Sequence, residues 1–523
     1  MPAASHVALR RCSAIVLATL ALTACLDRDP PTALDPGTAA FATTGSAVVP
    51  IPLQVGAAPV PLYLGEPGTP SPIIASPIPH NRFMAPNGFS NMHDDAYMSD
   101  TYAIAGPLGQ APMQVVTSWL GTAEAPVSLP ASMAFDRYGR VLVIALDLVG
   151  QTIASKRLLL LEPSTLEILA SLQLPAGAPG SNAAGGYFFL DRLDRAVVPT
   201  ATGQVWVVAV TGGWNRPRFD VKRVYDLSSA VGPNDEITSV IPDFGGTYWA
   251  VSKGGMVATL DPNNGRVASV RLPDEQIGNS LASDETGGVF IVSDHALYRF
   301  DAGRRGEPMI TWREEYDRGT RVKPGQFLLN FGSGTTPTLM GRDFVAIADN
   351  ADPFMHVLVY RRAAHVTGER LVASVPVFDA FQGATENSLV ATDRSIIVEN
   401  NYGYFGAAAT SGGQATMPGL TRIDIDEGGG HVVWTSAERV PSVVTKASLA
   451  NGLIYTYTKD AGPGTTDAWY LTAIDFHTGR TVFKQLAGTG ILYNNHYAAI
   501  YLGPDGTVYV GVLGGMVAIR DGV

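Results

Sequence analysis

From about residue 130 onward, apolar and polar positions alternate in short runs of four to nine residues. The runs are rich in Val, Ile, Leu, Tyr and Phe and are broken at short intervals by Asp, Asn and Gly. A period of two argues for strands, and Asp–Gly turns between the runs argue for hairpins. One unit recurs as Met133-Ala-Phe-Asp-Arg-Tyr-Gly139-Arg-Val-Leu-Val-Ile144. It returns as Leu281-Ala-Ser-Asp-Glu-Thr-Gly287-Gly-Val-Phe-Ile-Val292 and as Ala499-Ile-Tyr-Leu-Gly-Pro-Asp-Gly506-Thr-Val-Tyr-Val510. A second unit follows such hairpins, at Thr259–Val270 and Ala473–Phe483, with looser copies at Arg422–Trp434 and Leu160–Ile168. Two hairpins in tandem make a four-stranded sheet.

The spacing of these units, such as Asp426 to Asp475 and Asp261 to Asp301, falls in the range of roughly 40–50 residues expected of one propeller blade. The expected fold is therefore all-β: one β-propeller of seven or eight four-stranded blades. Blade starts are expected near Ser132, Tyr187, Thr247, Asn279, Thr336, Asn387 and Val443. The last segment, 495–523, supplies only about three strands. A strand near Met113–Leu120 is expected to complete it and to close the ring, since closure removes exposed sheet edges.

The N-terminus has a different pattern. Arg10 and Arg11 precede an apolar run of about ten residues, Ser13 to Leu22, too short to span a bilayer and of the length of a secretory h-region. It ends in Leu22-Thr23-Ala24-Cys25, which resembles the lipobox of bacterial lipoproteins. That resemblance implies cleavage of residues 1–24, a lipid on Cys25 and export to a membrane surface. Residues 25–79, rich in Pro, Ala, Gly, Thr and Ser, read as a flexible tether, leaving 80–523 for the propeller.

Composition narrows the chemistry. The chain has two cysteines; Cys12 departs with the signal and Cys25 is spent on lipid. The mature domain is thus left with no disulfide, no thiolate-bound metal, no Cys nucleophile and no haem attachment motif. Acidic residues number 47 against 36 basic, and no basic stripe is visible, which excludes nucleic acid as an expected partner. There is no Gly-x-Ser-x-Gly elbow, His-Glu-x-x-His or P-loop.

Candidate site residues follow from the expected topology. Polar residues just before each innermost strand converge on one mouth of a propeller's channel. Here these are Asn279, Glu386, Asn387 and His496, with Asn494 and Asn495 beside the last, while His93 and Asp94 precede the first blade. The Leu-x-Asp-x-x-x-Gly unit resembles quinoprotein-type and surface-layer-type repeats. The stretch Gly278-Asn279-Ser280-Leu281-Ala282-Ser283-Asp284, continuing to Phe290-Ile291-Val292-Ser293-Asp294, is similar to one in the gluconolactonase and paraoxonase superfamily. Thr385-Glu386-Asn387-Ser388-Leu389 repeats its Asn-Ser-Leu pattern. The resemblance implies that Asn279 is a ligand of a catalytic Ca²⁺; the carboxylate and amide oxygens of Asn279, Glu386 and Asn387 at the expected mouth suit such a hard cation, with His496 or His93 expected to move a proton in lactone or ester hydrolysis. The same residue types equally serve a mouth that binds a small ligand or an envelope protein without catalysis, with Asn494, Asn495 and Asp94 among the contacts. A quinone-dependent dehydrogenase is a third reading, but pyrroloquinoline quinone (PQQ) is not expected. The mature chain lacks the cysteines that some such enzymes place beside it, and Trp249, Trp434 and Trp469 read as packing residues.

Overall fold

The computed structural model describes residues 47–110, 112–150, 152–177, 186–326, 329–462 and 464–522. Cys25, the signal 1–24 and the first part of the expected tether lie outside the described residues. Eight antiparallel sheets follow one another along the chain as an eight-bladed propeller, spanning 127–173, 189–226, 237–271, 282–315, 338–377, 390–436, 446–489 and 500–520. We call them blades 1 to 8. Blade 8 draws its outermost strand from Gln114–Trp119, which pairs antiparallel with Gly515–Arg520 from Gln114↔Arg520 to Trp119↔Gly515. The N-terminal strand therefore closes the ring as expected.

The recurrent Asp–Gly unit has a local cause. In blade 1, Asp136 Oδ1 accepts from the N–H groups of Tyr138 and Arg140, each at 2.9 Å, and Gly139 turns the chain at a φ of +77°. Asp284 does the same for Thr286 and Gly288, again at 2.9 Å, with Gly287 at +90°. The carboxylate satisfies turn N–H groups that the strands cannot, and glycine takes the left-handed residue without a Cβ penalty. Blade 2 uses the same turn on Asp191, but Asp194 stands at the left-handed position with φ +64°. The turn therefore lacks the Asp–Gly pattern, although the blade starts near Tyr187 as expected. Blade 3 begins one strand earlier than expected: its innermost strand is Ile237–Pro242, and Thr247 opens the second. Every residue of Ile237–Pro242 is buried, so no polar alternation marks it.

Large side chains fill the spaces between blades. Trp249 and Trp469 are fully buried, the former donating its indole N–H to Asp243 at 2.9 Å, and Trp434 of blade 6 donates to the Phe476 carbonyl of blade 7 at 3.0 Å. All three tryptophans are packing residues.

The reading of 25–79 as a flexible tether needs correction from residue 47 onward. Tyr63–Gly65 adds a strand to the outer edge of blade 7, and Ile51 and Ile73 are buried. Backbone bonds from Trp119 to Val49 (2.7 Å) and from Ile73 to Leu449 (2.9 Å) lay the segment along the propeller. Pro-rich backbone stays extended, and its carbonyls can satisfy donors at a sheet edge.

The next stretch, residues 81–104, fills the channel. Blade by blade, the channel-side N–H groups of Phe135, Leu190, Ser283, Leu339, Ala391 and Ala447 donate to the carbonyls of Phe89, Ser90, Ala96, Tyr97, Ser99 and Asp100, at 2.7–3.0 Å. Thr101–Tyr102 then pairs in parallel with Lys446–Ser448. The chain thus winds past blades 1, 2, 4, 5, 6 and 7 in order, while Asn81 reaches the Pro242 carbonyl of blade 3 at 2.9 Å. It satisfies the free inner edges of those blades where their innermost strands end. One mouth is plugged, and the mouth where the innermost strands begin stays open.

Candidate functional site

At the open mouth lies a pocket of about 230 Å³. Its polar wall is built from the residues that precede the innermost strands: Tyr187 before blade 2, Asn279 before blade 4, Glu386 to Ser388 before blade 6, and His496 and Tyr497 before blade 8. The apolar wall is Leu129, Ala131, Leu146, Leu148 and Ile153 of blade 1. Blade 1 can supply it because its strands are long. Val127–Phe135 has nine residues, where the innermost strands of blades 4 and 6 have two each, so the first blade stands above its neighbours at the mouth. Asp147 braces the overhang, accepting from Ser128 (2.7 Å) and from Arg157 Nε (2.7 Å) and Nη2 (2.6 Å).

The structure brings together four of the residues singled out by sequence, Asn279, Glu386, Asn387 and His496, on one wall. Their bonding shows what they do there. Asn279 Oδ1 accepts the Tyr187 hydroxyl, and its Nδ2 donates to the carbonyls of Gly334 and, at 3.1 Å, Glu386. One amide thereby ties the segments leading into blades 2, 4, 5 and 6. Asn387 donates to the Val443 carbonyl at 2.8 Å, joining blades 6 and 7. Ca²⁺ takes six to eight oxygen ligands. This trio offers one carboxylate, and the Asn279 oxygen is already an acceptor. Among the described residues no three His, Asp or Glu side chains gather to hold an ion. Asn279 Oδ1 is taken by Tyr187 and the Asn387 amide nitrogen by Val443, so both amides staple blades, and the oxygens this trio could still offer a cation are Asn387 Oδ1 and the Glu386 carboxylate.

Asn494 and Asn495 are fully buried beneath the mouth and hold the loop that presents His496 and Tyr497. Asn494 Oδ1 accepts the His496 N–H (2.8 Å) and the Tyr404 hydroxyl (2.9 Å), and Asn495 accepts from Ser442 Oγ (3.1 Å). They support the site rather than line it. His496 and Tyr497 have left-handed φ values of +41° and +65°, a conformation that costs non-glycine residues of order 1–3 kcal/mol each. Tyr404, from the insert between the second and third strands of blade 6, packs on both rings, and its hydroxyl lies 2.9 Å from His496 Nδ1. Burial pushes the His496 imidazole down to about 4, so the ring at the mouth is neutral near pH 7.

Asp94 departs from expectation. It lies in the plug and lines a separate pocket of about 370 Å³ on the opposite face, together with Asp95, Ser76 and His80. His93, its neighbour in sequence, points the other way, up the channel. The His93 ring stacks on Tyr187 with centroids 6.0 Å apart and planes 17° from parallel. Its Nδ1 lies 3.0 Å from Asp100, which is ion-paired with Lys446; that lysine also donates to the Met92 carbonyl at 2.8 Å. Burial lowers the His93 pKa, against a raising effect of Asp100.

Sequence reasoning missed Asp100, Lys446 and Glu399, all buried in the channel wall or plug. Burial raises Glu399 to about 8 and Asp95 to about 7, so both carboxyls are largely protonated in mildly acidic solution. Asp100 and Lys446 are 346 residues apart, and no local pattern announces their pairing.

Comparison with known proteins supports the fold and leaves the ligand open. No protein-family model matches the chain. It is 24% identical over 490 residues to an uncharacterized protein of Archaeoglobus fulgidus, an alignment that spans 87% of this chain and 91% of the archaeal one. Among solved structures, Chaetomium thermophilum Sqt1, bound to the N-terminus of ribosomal protein L10, superposes with a TM-score of 0.51 at 13% identity, covering 77% of this chain and 98% of Sqt1. BamB from Moraxella catarrhalis gives 0.43 at 11% identity, covering 80% and 97%. These structural neighbours are β-propeller proteins, as this chain is.

Proposed function

We propose that this chain is an exported propeller, held to a membrane by a lipid on Cys25, that binds a small amphiphilic molecule in the pocket at its open channel mouth. The observation that carries the reading is the division of that pocket into two walls. Leucine, isoleucine and alanine of blade 1 face a wall of hydroxyl, amide, carboxylate and neutral imidazole groups. An elongated ligand with an apolar body and a polar head matches that division: the body loses water against blade 1 and the head meets oriented hydrogen-bonding groups. The left-handed pair His496–Tyr497, held by Tyr404 and Asn494, is a costly arrangement of the kind that clusters at ligand sites. The Arg10-Arg11, apolar-run and Leu22-Thr23-Ala24-Cys25 sequence supports export and anchoring.

The test is equilibrium binding of N-phenyl-1-naphthylamine and of medium-chain acyl amides to the soluble form lacking residues 1–25. Saturable binding of one molecule per chain is expected. Leu148→Lys should weaken it at least tenfold, about 1.4 kcal/mol, by placing a solvated ammonium in the apolar wall. Undiminished binding in that variant, with the fold intact by circular dichroism, would remove blade 1 from the site.

A protein partner in place of a small molecule has one observation in its favour: Phe405, on the blade 6 insert beside the mouth, is 75% exposed. A partner seated there would cover Phe405 and the pocket together, so Phe405→Ser should abolish its capture while leaving small-molecule binding unchanged.

A further inference from the structure

Below the mouth, two side chains of the plug meet one from the segment leading into blade 6, in line. Both oxygens of Asp100 lie 3.0 Å from His93 Nδ1. The far nitrogen of that ring, Nε2, faces two hydroxyls, Ser388 Oγ at 3.5 Å and Thr336 Oγ1 at 3.4 Å. Ser388 lines the pocket, whereas Thr336 is wholly buried away from it. A carboxylate on Nδ1 fixes the tautomer whose lone pair sits on Nε2, directed at the hydroxyls. Tyr187 stacked on the ring and Lys446 paired with Asp100 hold the imidazole plane and the carboxylate in place. The Thr336 N–H donates to Ser388 Oγ at 3.3 Å, which leaves the serine hydroxyl proton available to point at the imidazole.

We propose that Ser388, His93 and Asp100 form a nucleophilic triad at the floor of the mouth pocket, acting on the carbonyl carbon of an ester or lactone in an amphiphilic ligand. This rests on the reading of that pocket as a ligand site and needs no metal ion. Ser388 Oγ forms a bond to the carbonyl carbon as its proton passes to His93 Nε2, and the carbonyl π electrons move to the oxygen. Collapse of that adduct breaks the carbon–oxygen bond to the leaving group, which takes the proton from His93 and departs as an alcohol, or stays tethered as one in a lactone. Water then gives a proton to His93 and its oxygen to the acyl carbon. The acyl–Ser388 bond breaks, the proton returns to Oγ, and the acid is released. Asp100 is a positioning residue that acts through the imidazole.

An alkyl fluorophosphonate with an eight-carbon chain tests this on the soluble full domain. One covalent adduct per chain is expected by intact mass, mapped to Ser388 by peptide sequencing and absent in Ser388→Ala. Its formation should be at least a hundredfold slower in His93→Gln, the scale of a lost general base. The double variant Asp100→Asn/Lys446→Met, which removes both buried charges together, should slow labelling while leaving the affinity for the unreactive octyl phosphonate unchanged. A merely structural role for Asp100 would move both or neither. A protein that binds N-phenyl-1-naphthylamine at the mouth yet gains no adduct at Ser388 overturns the triad and leaves the pocket standing. An adduct that survives Ser388→Ala, or one on Thr336, also overturns it. Failure to bind either probe removes the pocket and the triad together.

Discussion

Replacing Lys446 by methionine should destabilise the protein by about 3–5 kcal/mol, the scale of breaking one side of a buried ion pair. Lys446 and Asp100 are both fully buried, and the ammonium is paired with the carboxylate while donating to the Met92 carbonyl. Methionine fills much of the lysine stem but leaves the buried Asp100 carboxylate with no cationic partner beside it and only the His93 imidazole as a side-chain hydrogen-bond neighbour. The loss should concentrate in the plug, because Met92 and Asp100 both belong to it. Hydrogen exchange at the amides of Phe135, Leu190, Ala391 and Ala447, which donate to plug carbonyls, should therefore speed up more than exchange within the outer strands. Adding Asp100→Asn to Lys446→Met should recover part of the lost stability, since the uncompensated charge is then gone. Equal stability of Lys446→Met and wild type in a urea titration would mean that the pair contributes nothing to holding the plug.

The second large effect is on pH dependence. Glu399 is buried at the end of the strand Ser395–Glu399, and burial raises it to about 8. A carboxyl whose folded value lies above its unfolded one binds a proton more tightly in the native state. Stability is then fully retained below the ordinary carboxylate value and declines as pH rises toward 8. His496 acts in the opposite sense. Its folded value of about 4 lies below the ordinary imidazole value, so stability is lost as pH falls between about 6.5 and 4. The two oppose one another below pH 6.5, and above it the histidine contribution is flat. Between pH 6.5 and 8 the wild type should therefore lose about 2 kcal/mol on account of Glu399, at about 1.4 kcal/mol per pH unit, and Glu399→Gln should retain it. Asp95, raised to about 7, adds a smaller decline that persists in the variant. Parallel pH profiles of the two proteins would contradict the assignment of a buried neutral carboxyl to Glu399.

The propeller was legible in the sequence because several blades repeat local chemistry. An aspartate caps the turn between the first two strands, and a glycine supplies the left-handed residue at Gly139, Gly287 and Gly506. Where local chemistry changes, legibility fails. Ile237–Pro242, buried throughout, opens blade 3 ahead of Thr247 without announcing itself, whereas blade 2 starts near Tyr187 as expected even though Asp194 replaces its turn glycine. Residues 47–79 looked like a linker because proline and small residues give no periodicity, although their backbone completes sheet edges. At the site, topology alone sufficed to place Asn279, Glu386, Asn387 and His496 together, since each precedes an innermost strand. Their roles were not legible. Whether an amide faces a ligand or staples two blades depends on carbonyls such as those of Gly334 and Val443, far off in the chain. His93 and Asp94 are adjacent in sequence yet serve opposite faces of the plug. Ser388 lies inside the Thr385-Glu386-Asn387-Ser388-Leu389 motif, but its partner His93 is 295 residues away.

The claim that the open mouth is the ligand site is tested most directly by filling each of the two pockets in turn. Ala131 lines the mouth pocket and Ala75 lines the pocket on the plugged face. Binding of N-phenyl-1-naphthylamine should fall at least tenfold, about 1.4 kcal/mol, in Ala131→Trp and stay at the wild-type value in Ala75→Trp. Binding lost in Ala75→Trp and kept in Ala131→Trp would move the site to the plugged face and contradict the assignment of the channel mouth.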